Sequence, residues 1–105
     1  MPLAQISMRA GKPPAWRRAL LDGLYDALRE AMDVPEGDRF AVLHELPPEN
    51  FDQGPAFGIE RSQDLVYIRI ALFDTRPVAQ KQALFRALVD RLGRDPGLRP
   101  EDVFI

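Results

Sequence analysis

The sequence predicts an α+β fold in which two β-α-β units form a four-stranded mixed sheet with two helices on one face. Three observations support this prediction: the chain aligns with itself at a shift of 64 residues, two segments have helical spacing of apolar residues, and two segments alternate as strands do. The length of 105 residues is that of one small domain. We expect this domain to span 1–105, with repeats at 2–46 and 66–105.

The internal repeat is the strongest of these observations. GKPPAWRRALLDGLYDAL aligns with TRPVAQKQALFRALVDRL without a gap, and chance is a poor explanation for the identities. The identical pairs are Ile6/Ile70, Pro13/Pro77, Ala15/Ala79, Ala19/Ala83, Leu20/Leu84, Leu24/Leu88, Asp26/Asp90, Leu28/Leu92, Asp38/Asp102 and Phe40/Phe104. Two copies of one structural unit are therefore predicted.

The first strand of each copy is predicted from alternating residues that start at Pro2 and Val66. The face expected to pack on the helices carries Ala4, Ile6, Met8, Val66, Ile68, Ile70 and Leu72. The opposite face carries Leu3, Gln5, Ser7, Tyr67, Arg69, Ala71 and Phe73. Because this second face is too apolar to be wholly solvated, it predicts burial against other subunits.

The helices are predicted over residues 13–32 and 77–93, where apolar residues recur at helical spacing. In both copies a proline lies in the expected first turn, where its missing N–H costs little. A second strand follows at Phe40–Leu46, and its counterpart starts at Val103. The chain stops three residues into that strand, at Ile105, so the last strand is expected to be truncated.

The connections between these elements predict the sheet topology. A strand-helix-strand crossover makes its two strands parallel. If the copies pack about a local two-fold axis, their first strands are antiparallel. That arrangement places Pro2 beside the segment that ends in Arg76, and it places Val66 beside Lys12.

Composition excludes several classes of function. The chain has no cysteine, which excludes disulfides, thiol catalysis and thiolate zinc sites. A net charge of −2 with interspersed signs gives no footprint for nucleic acid. No apolar run approaches the roughly 18 residues of a membrane span, and no signal-peptide pattern appears. We therefore expect a cytoplasmic protein with a small ligand and no metal site.

Pro2 and Arg76 are the leading candidates for chemistry. If Met1 is removed, Pro2 becomes a secondary amine, and α-amino groups titrate near pH 8 in model peptides, about where a general base is useful. Arg76 precedes a helix and could bind a carboxylate through two hydrogen bonds. The alternatives are that Met-Pro is simply a common start and that Arg76 is an ordinary surface residue.

Four further residues are weaker candidates. Asp38 precedes a strand and either tunes the amine or serves a turn, as its duplicate Asp102 suggests. Arg61 lies in a connection, where it is either solvated or reaches a site. Phe57 and Phe73 either line a pocket or fill a core. The single histidine, His44, is more simply a packed or rim residue than a catalytic one.

The segments PLAQI, VPEGDRF, GIERSQDLVYI and RPEDVFI, with GK or TR before each helix, resemble the tautomerase superfamily. This superfamily has the fold of oxalocrotonate tautomerase and macrophage migration inhibitory factor, and the nearest likeness is to its malonate semialdehyde decarboxylase branch. The resemblance implies a homotrimer, no cofactor and an amino-terminal proline that acts as acid or base. Pro2 matches that proline, Asp38 the decarboxylase's acidic residue, and Arg76 the second of its two substrate-binding arginines.

The sequence departs from the decarboxylase at Asp74, which occupies the position of the first arginine. Three hypotheses therefore stay open. The chain is a tautomerase-type enzyme acting on a small 2-oxo acid or related carboxylate, a lyase or hydratase, or a non-catalytic oligomer that binds a ligand. In the first hypothesis Pro2, Asp38 and Arg76 are catalytic, while Arg61 and the phenylalanines Phe57 and Phe73 help Arg76 to bind substrate.

Overall fold

A computed structural model describes residues 2–105, and the question whether Met1 is removed lies outside this range. Its elements are, in chain order, β1 (Leu3–Arg9), α1 (Pro14–Met32), β2 (Ala41–Leu46), β3 (Val66–Ala71), α2 (Val78–Arg94) and β4 (Val103–Phe104). Single 3₁₀ turns lie at Pro48–Asn50, Ala56–Gly58 and Pro100–Asp102. Neither helix is long and apolar enough to cross a membrane, within the part of the chain described.

The strands form one mixed sheet in the order β2-β1-β3-β4. β1 is parallel to β2, and β3 is parallel to β4. The central pair, β1 and β3, is antiparallel, with Leu3 opposite Ala71 and Met8 opposite Val66. The predicted fold is confirmed, and so is the antiparallel packing of the two copies.

The core lies between one face of the sheet and both helices. Every second residue of β1 is buried there, as are Val66 and Ile68 of β3. They pack against apolar residues of α1 and α2, including Leu20, Leu24, Leu84, Leu88 and Leu92. This is the face that the alternation in the sequence predicts.

The duplicated prolines have the same backbone conformation in both copies. Pro13 and Pro77 each have φ of −68°, and each carbonyl accepts an N–H three residues later, from Trp16 and Gln80, at 3.0 Å. The predicted proline in the first turn is confirmed for α1, which begins at Pro14, whereas Pro77 lies just before α2. The repeat therefore places Lys12 and Arg76 at equivalent entrances to α1 and α2.

The face of the sheet away from the helices is largely open. Leu3, Val42 and Phe104 expose 50%, 45% and 42% of their surface there, and His44 on β2 is also exposed. Tyr67 is an exception, because the ring of Phe51 stacks on it with centroids 4.7 Å apart. Among residues 2–105, the open face is thus an apolar surface that is covered only near the start of β3.

Asp102 is a buried carboxylate that joins the long β2–β3 connection to the entrance of β4. It is 1% exposed and accepts hydrogen bonds from the Ser62 amide at 2.7 Å, the Ser62 hydroxyl at 2.5 Å and Arg99 at 3.3 Å. Burial alone would raise the pKa of Asp102, but the bonds from Ser62 and Arg99 outweigh it, so this pKa lies below its ordinary value.

We expect Asp102→Asn to lower the free energy of unfolding at pH 7 by about 2 kcal/mol, because charge-assisted hydrogen bonds are lost at a buried site. A carboxylate whose pKa is lower in the folded than in the unfolded chain stabilises the folded state at pH values above its unfolded pKa, which is about 3.9 for aspartate. The difference between the two proteins should therefore be full above about pH 5 and shrink as the pH falls through the folded pKa of Asp102.

Urea unfolding followed by circular dichroism measures this difference. Asp90→Asn is the matched control, because Asp90 pairs with Arg94 at an exposed position and should matter by less than about 0.5 kcal/mol. Equal midpoints for wild type and Asp102→Asn at pH 7 would contradict the structural role of Asp102.

Candidate active site

Pro2 lies directly before β1, at the end of the sheet where β2 begins and β3 ends. It is buried and lines a small hollow of about 40 Å³. The other residues that line this hollow are Met32, Leu72, Phe73, Thr75 and Arg76. The structure therefore brings together two of the three predicted catalytic residues, Pro2 and Arg76. The hollow is large enough for a water molecule or the carboxylate of a larger ligand.

Arg76 is held in place by the end of α1. One terminal nitrogen of its guanidinium donates to the main-chain carbonyl of Met32, and the same nitrogen lies 3.3 Å from the Met32 sulfur. Met32 is the last residue of α1, so its carbonyl has no partner within the helix. Because a guanidinium has five N–H donors, this contact orients Arg76 and leaves capacity for a carboxylate.

The segment between β3 and α2 supplies the remaining wall of the hollow. Phe73 is 77% exposed and forms its rim, and the exposed Thr75 also lines the hollow. The Asp74 carboxylate is bound instead by Lys81 at 2.9 Å and lines a separate groove of about 960 Å³. The hydrogen bond from Lys81 lowers the pKa of Asp74. Asp74 therefore does not contribute its carboxylate to the hollow.

Asp38 lies at the same end of the sheet, just before β2, but it does not line the Pro2 hollow. It lines a separate groove of about 210 Å³ between α1 and β2. In that groove Arg39 binds Asp22 at 2.6 Å and lies 4.3 Å over the Tyr25 ring. Asp38 is partly exposed and differs from its buried duplicate, Asp102. The two aspartates thus do not share one structural role.

Neither Arg61 nor Phe57 lines the Pro2 hollow. Arg61 donates to the Glu101 carbonyl and lies 5.3 Å over the Phe104 ring, beside the start of β3. Pro2 lies at the other end of β3, about 15 Å further along the strand. Phe57 is 87% exposed in the long connection, with a left-handed φ of 61°. Their roles in substrate binding stay predictions.

Met32 and Thr75 also line the hollow, although neither is predicted from the sequence as a site residue. Met32 is 44 positions from Arg76, and nothing in the local sequence signals that contact. Thr75 could have been found from its position immediately before Arg76. Among residues 2–105, no three His, Cys, Asp or Glu side chains form a group suited to a metal ion.

Two family models match this chain, and both are described as tautomerase enzyme. One matches residues 2–57 and the other residues 38–105. The chain is also 35% identical over 106 residues to the probable tautomerase YusQ of Bacillus subtilis (strain 168). That match covers 100% of this chain and 84% of YusQ.

Solved structures of the same fold cover nearly the whole chain. Malonate semialdehyde decarboxylase superposes with a TM-score of 0.89 and 27% identity, over 97% of this chain and 79% of that one. A symmetric trimer of a wild-type fused 4-OT, Q0, gives a TM-score of 0.78 and 25% identity, over 97% of this chain and 80% of that one. Both matches cover too much of the chain to omit either β-α-β unit.

Proposed function

This chain belongs to the tautomerase superfamily, and we propose that it is a tautomerase-type enzyme that uses Pro2 as general base and acid without a cofactor. The family models and the probable tautomerase relative support the class of activity. The observation that carries the proposal is that Pro2 and Arg76 line one hollow. The proposed substrate is a small 2-oxo acid or a related carboxylate.

In the proposed reaction Arg76 binds the substrate carboxylate and presents the adjacent carbons to Pro2. The amine of Pro2 accepts the enol O–H proton, and the carbonyl forms as the double-bond electrons move to the neighbouring carbon. That carbon takes a proton from the protonated amine, so the amine is regenerated. Arg76 stays charged throughout, because a guanidinium does not titrate near neutral pH.

The remaining candidate residues have supporting roles in this proposal. Asp38, at the same end of the sheet, tunes the amine or directs water, and Phe73 covers the substrate at the rim. Arg61 and Phe57 do not line the Pro2 hollow. In the proposed homotrimer they contact a substrate across a subunit boundary.

A lyase or hydratase activity is the second candidate. The similarity to malonate semialdehyde decarboxylase, for which decarboxylase and hydratase activities are described, favours it. In this case protonated Pro2 is the acid and Asp38 activates water. Asp74 argues against decarboxylation, because its carboxylate is paired with Lys81 and supplies no positive charge to a substrate.

Three measurements on one preparation test these proposals. Intact mass shows whether Met1 is removed. Removal of Met1 is required for catalysis by Pro2, because an acylated Pro2 nitrogen is an amide and has no basic lone pair. Enol-to-keto conversion of phenylpyruvate and turnover of malonate semialdehyde are then followed. Phenylpyruvate turnover supports the tautomerase, and malonate semialdehyde turnover supports the lyase. A processed protein inactive on both would favour a non-catalytic tautomerase-fold oligomer that binds a ligand.

The open face of the sheet supports the proposed homotrimer. Exposed apolar side chains such as Leu3 and Val42 lie on it, and surfaces of this kind mark interfaces. The trimeric fused 4-OT shares the fold of this chain.

The proposed location of the protein is the cytoplasm.

We expect Val42→Asp to dissociate the oligomer, because it places a charge in a buried apolar interface. Sedimentation equilibrium should give about three times the 11.9 kDa chain mass for wild type and a smaller species for the variant. Val78→Asp is the matched control, since Val78 is 68% exposed at the start of α2. A monomeric wild type, or an unchanged Val42→Asp oligomer, would refute this interface.

A further inference from the structure

A second hollow, of about 290 Å³, lies at the opposite end of β1 from Pro2 and has no part in the proposed reaction. At the shift of 64 residues Lys12 corresponds to Arg76. Four lining positions are shared between the two hollows, as the pairs Met8/Leu72, Arg9/Phe73, Gly11/Thr75 and Lys12/Arg76. The second hollow therefore repeats the cation of the first, while the residue that corresponds to Pro2 is Val66.

The cation of this second hollow already binds a carboxylate. The Lys12 ammonium lies 2.6 Å from the Asp64 carboxylate and 4.9 Å from the centroid of the Trp16 ring. Asp64 is held there through its amide, which donates to the Ser62 hydroxyl at 3.1 Å. Ser62 in turn donates to the buried Asp102. Asp64 thus occupies the place at Lys12 that a substrate carboxylate is proposed to occupy at Arg76.

Asp64 supplies the negative charge that partly balances the basic residues of the second hollow. Arg9 and Lys12 are its basic lining residues, and Asp64 is the only acidic one. Arg9 is fixed by a 2.8 Å hydrogen bond to the Gln53 side chain and lies 4.4 Å over the Phe51 ring. Removing the Asp64 charge would leave two cations and an indole face around an open space.

We propose that the Lys12 hollow is a second carboxylate-binding site, occupied in the wild-type chain by its own Asp64. Its external ligand class is a small aromatic carboxylate, because the carboxylate would pair with Lys12 while the ring packs on Trp16. The ligand and Asp64 exclude each other, since both need the same ammonium. The Lys12–Asp64 pair is half-exposed, so breaking it should leave the fold intact.

Trp16 fluorescence tests this proposal directly, because Trp16 is the only tryptophan of the chain. The probe is phenylacetate, titrated into wild type, Asp64→Asn and Asp64→Ala. We expect both variants to bind it at least about tenfold more tightly than wild type, since repulsion between two carboxylates is removed. The uncharged analogue 2-phenylethanol should show no such gain.

Two double variants locate the binding. Adding Lys12→Met to Asp64→Asn should abolish the gain, and adding Arg76→Ala should leave it unchanged. Wild-type affinity in both Asp64 variants, or a gain that survives Lys12→Met, would overturn the proposal. Because the readout is binding at the edge opposite Pro2, the result is independent of whether Pro2 catalyses.

Discussion

Pro2→Ala is expected to lower kcat for enol-to-keto conversion of phenylpyruvate by about 10²-fold, at the lower end of what general acid–base catalysis contributes. Alanine keeps an α-amino group after removal of Met1, so a base of similar kind remains. What it loses is the ring that fixes the nitrogen beside the hollow, and a misplaced base transfers protons poorly. A preparation that retains Met1 should lose more, because its Pro2 nitrogen is an amide.

Steady-state kinetics on preparations of known intact mass measure this effect. Thermal unfolding and sedimentation of Pro2→Ala serve as controls, because Pro2 is buried and a change in fold or assembly would confuse the result. Equal kcat for processed wild type and Pro2→Ala would refute the proposal that Pro2 is the general base and acid. So would full activity in a preparation that keeps Met1.

Arg76→Ala is expected to lower kcat/KM for phenylpyruvate by about 10- to 100-fold, since charge-assisted hydrogen bonds to a carboxylate contribute about 1.5–3 kcal/mol. Most of the loss should appear as a higher KM, because the carboxylate is bound alike in the substrate and the transition state. Arg76→Lys should recover part of the loss, as lysine keeps the charge but not the paired geometry.

The structural role of Arg76 requires its own control. Its contact with the Met32 carbonyl predicts a small fall in thermal stability for Arg76→Ala, which the melting temperature reports separately from KM. Arg86→Ala removes the same charge from an exposed position on α2 and should leave KM unchanged. A KM for Arg76→Ala equal to that of Arg86→Ala would show that Arg76 binds no substrate.

Much of the fold could be predicted because the chain carries its pattern twice. The alternation around Ile6 and Ile68 and the helical spacing of Leu20 and Leu84 each depend on local geometry, which the residue order expresses directly. The antiparallel packing of β1 on β3 was an assumption about symmetry, and the register confirms it. The helices start one residue later than predicted, at Pro14 and Val78.

The candidate site was predicted less completely, because its contacts join distant parts of the chain. Pro2 and Arg76 could be paired from topology, since the start of one antiparallel strand lies beside the end of the other. The hydrogen bond from the Arg76 guanidinium to the Met32 carbonyl depends on the position of the last turn of α1 in the folded chain. Asp38 and Asp102 occupy equal positions in the repeat, yet only Asp102 is buried.

The sequence by itself determined the duplicated architecture and the asymmetry of its two ends. In the repeat, Pro2 corresponds to Val66 and Arg76 corresponds to Lys12. Only the tertiary structure decided how these ends differ in surroundings. Arg76 is oriented by a helix carbonyl beside Pro2, whereas Lys12 is paired with Asp64. Such differences arise from side chains that packing brings together across many residues, and spacing along the chain does not encode them.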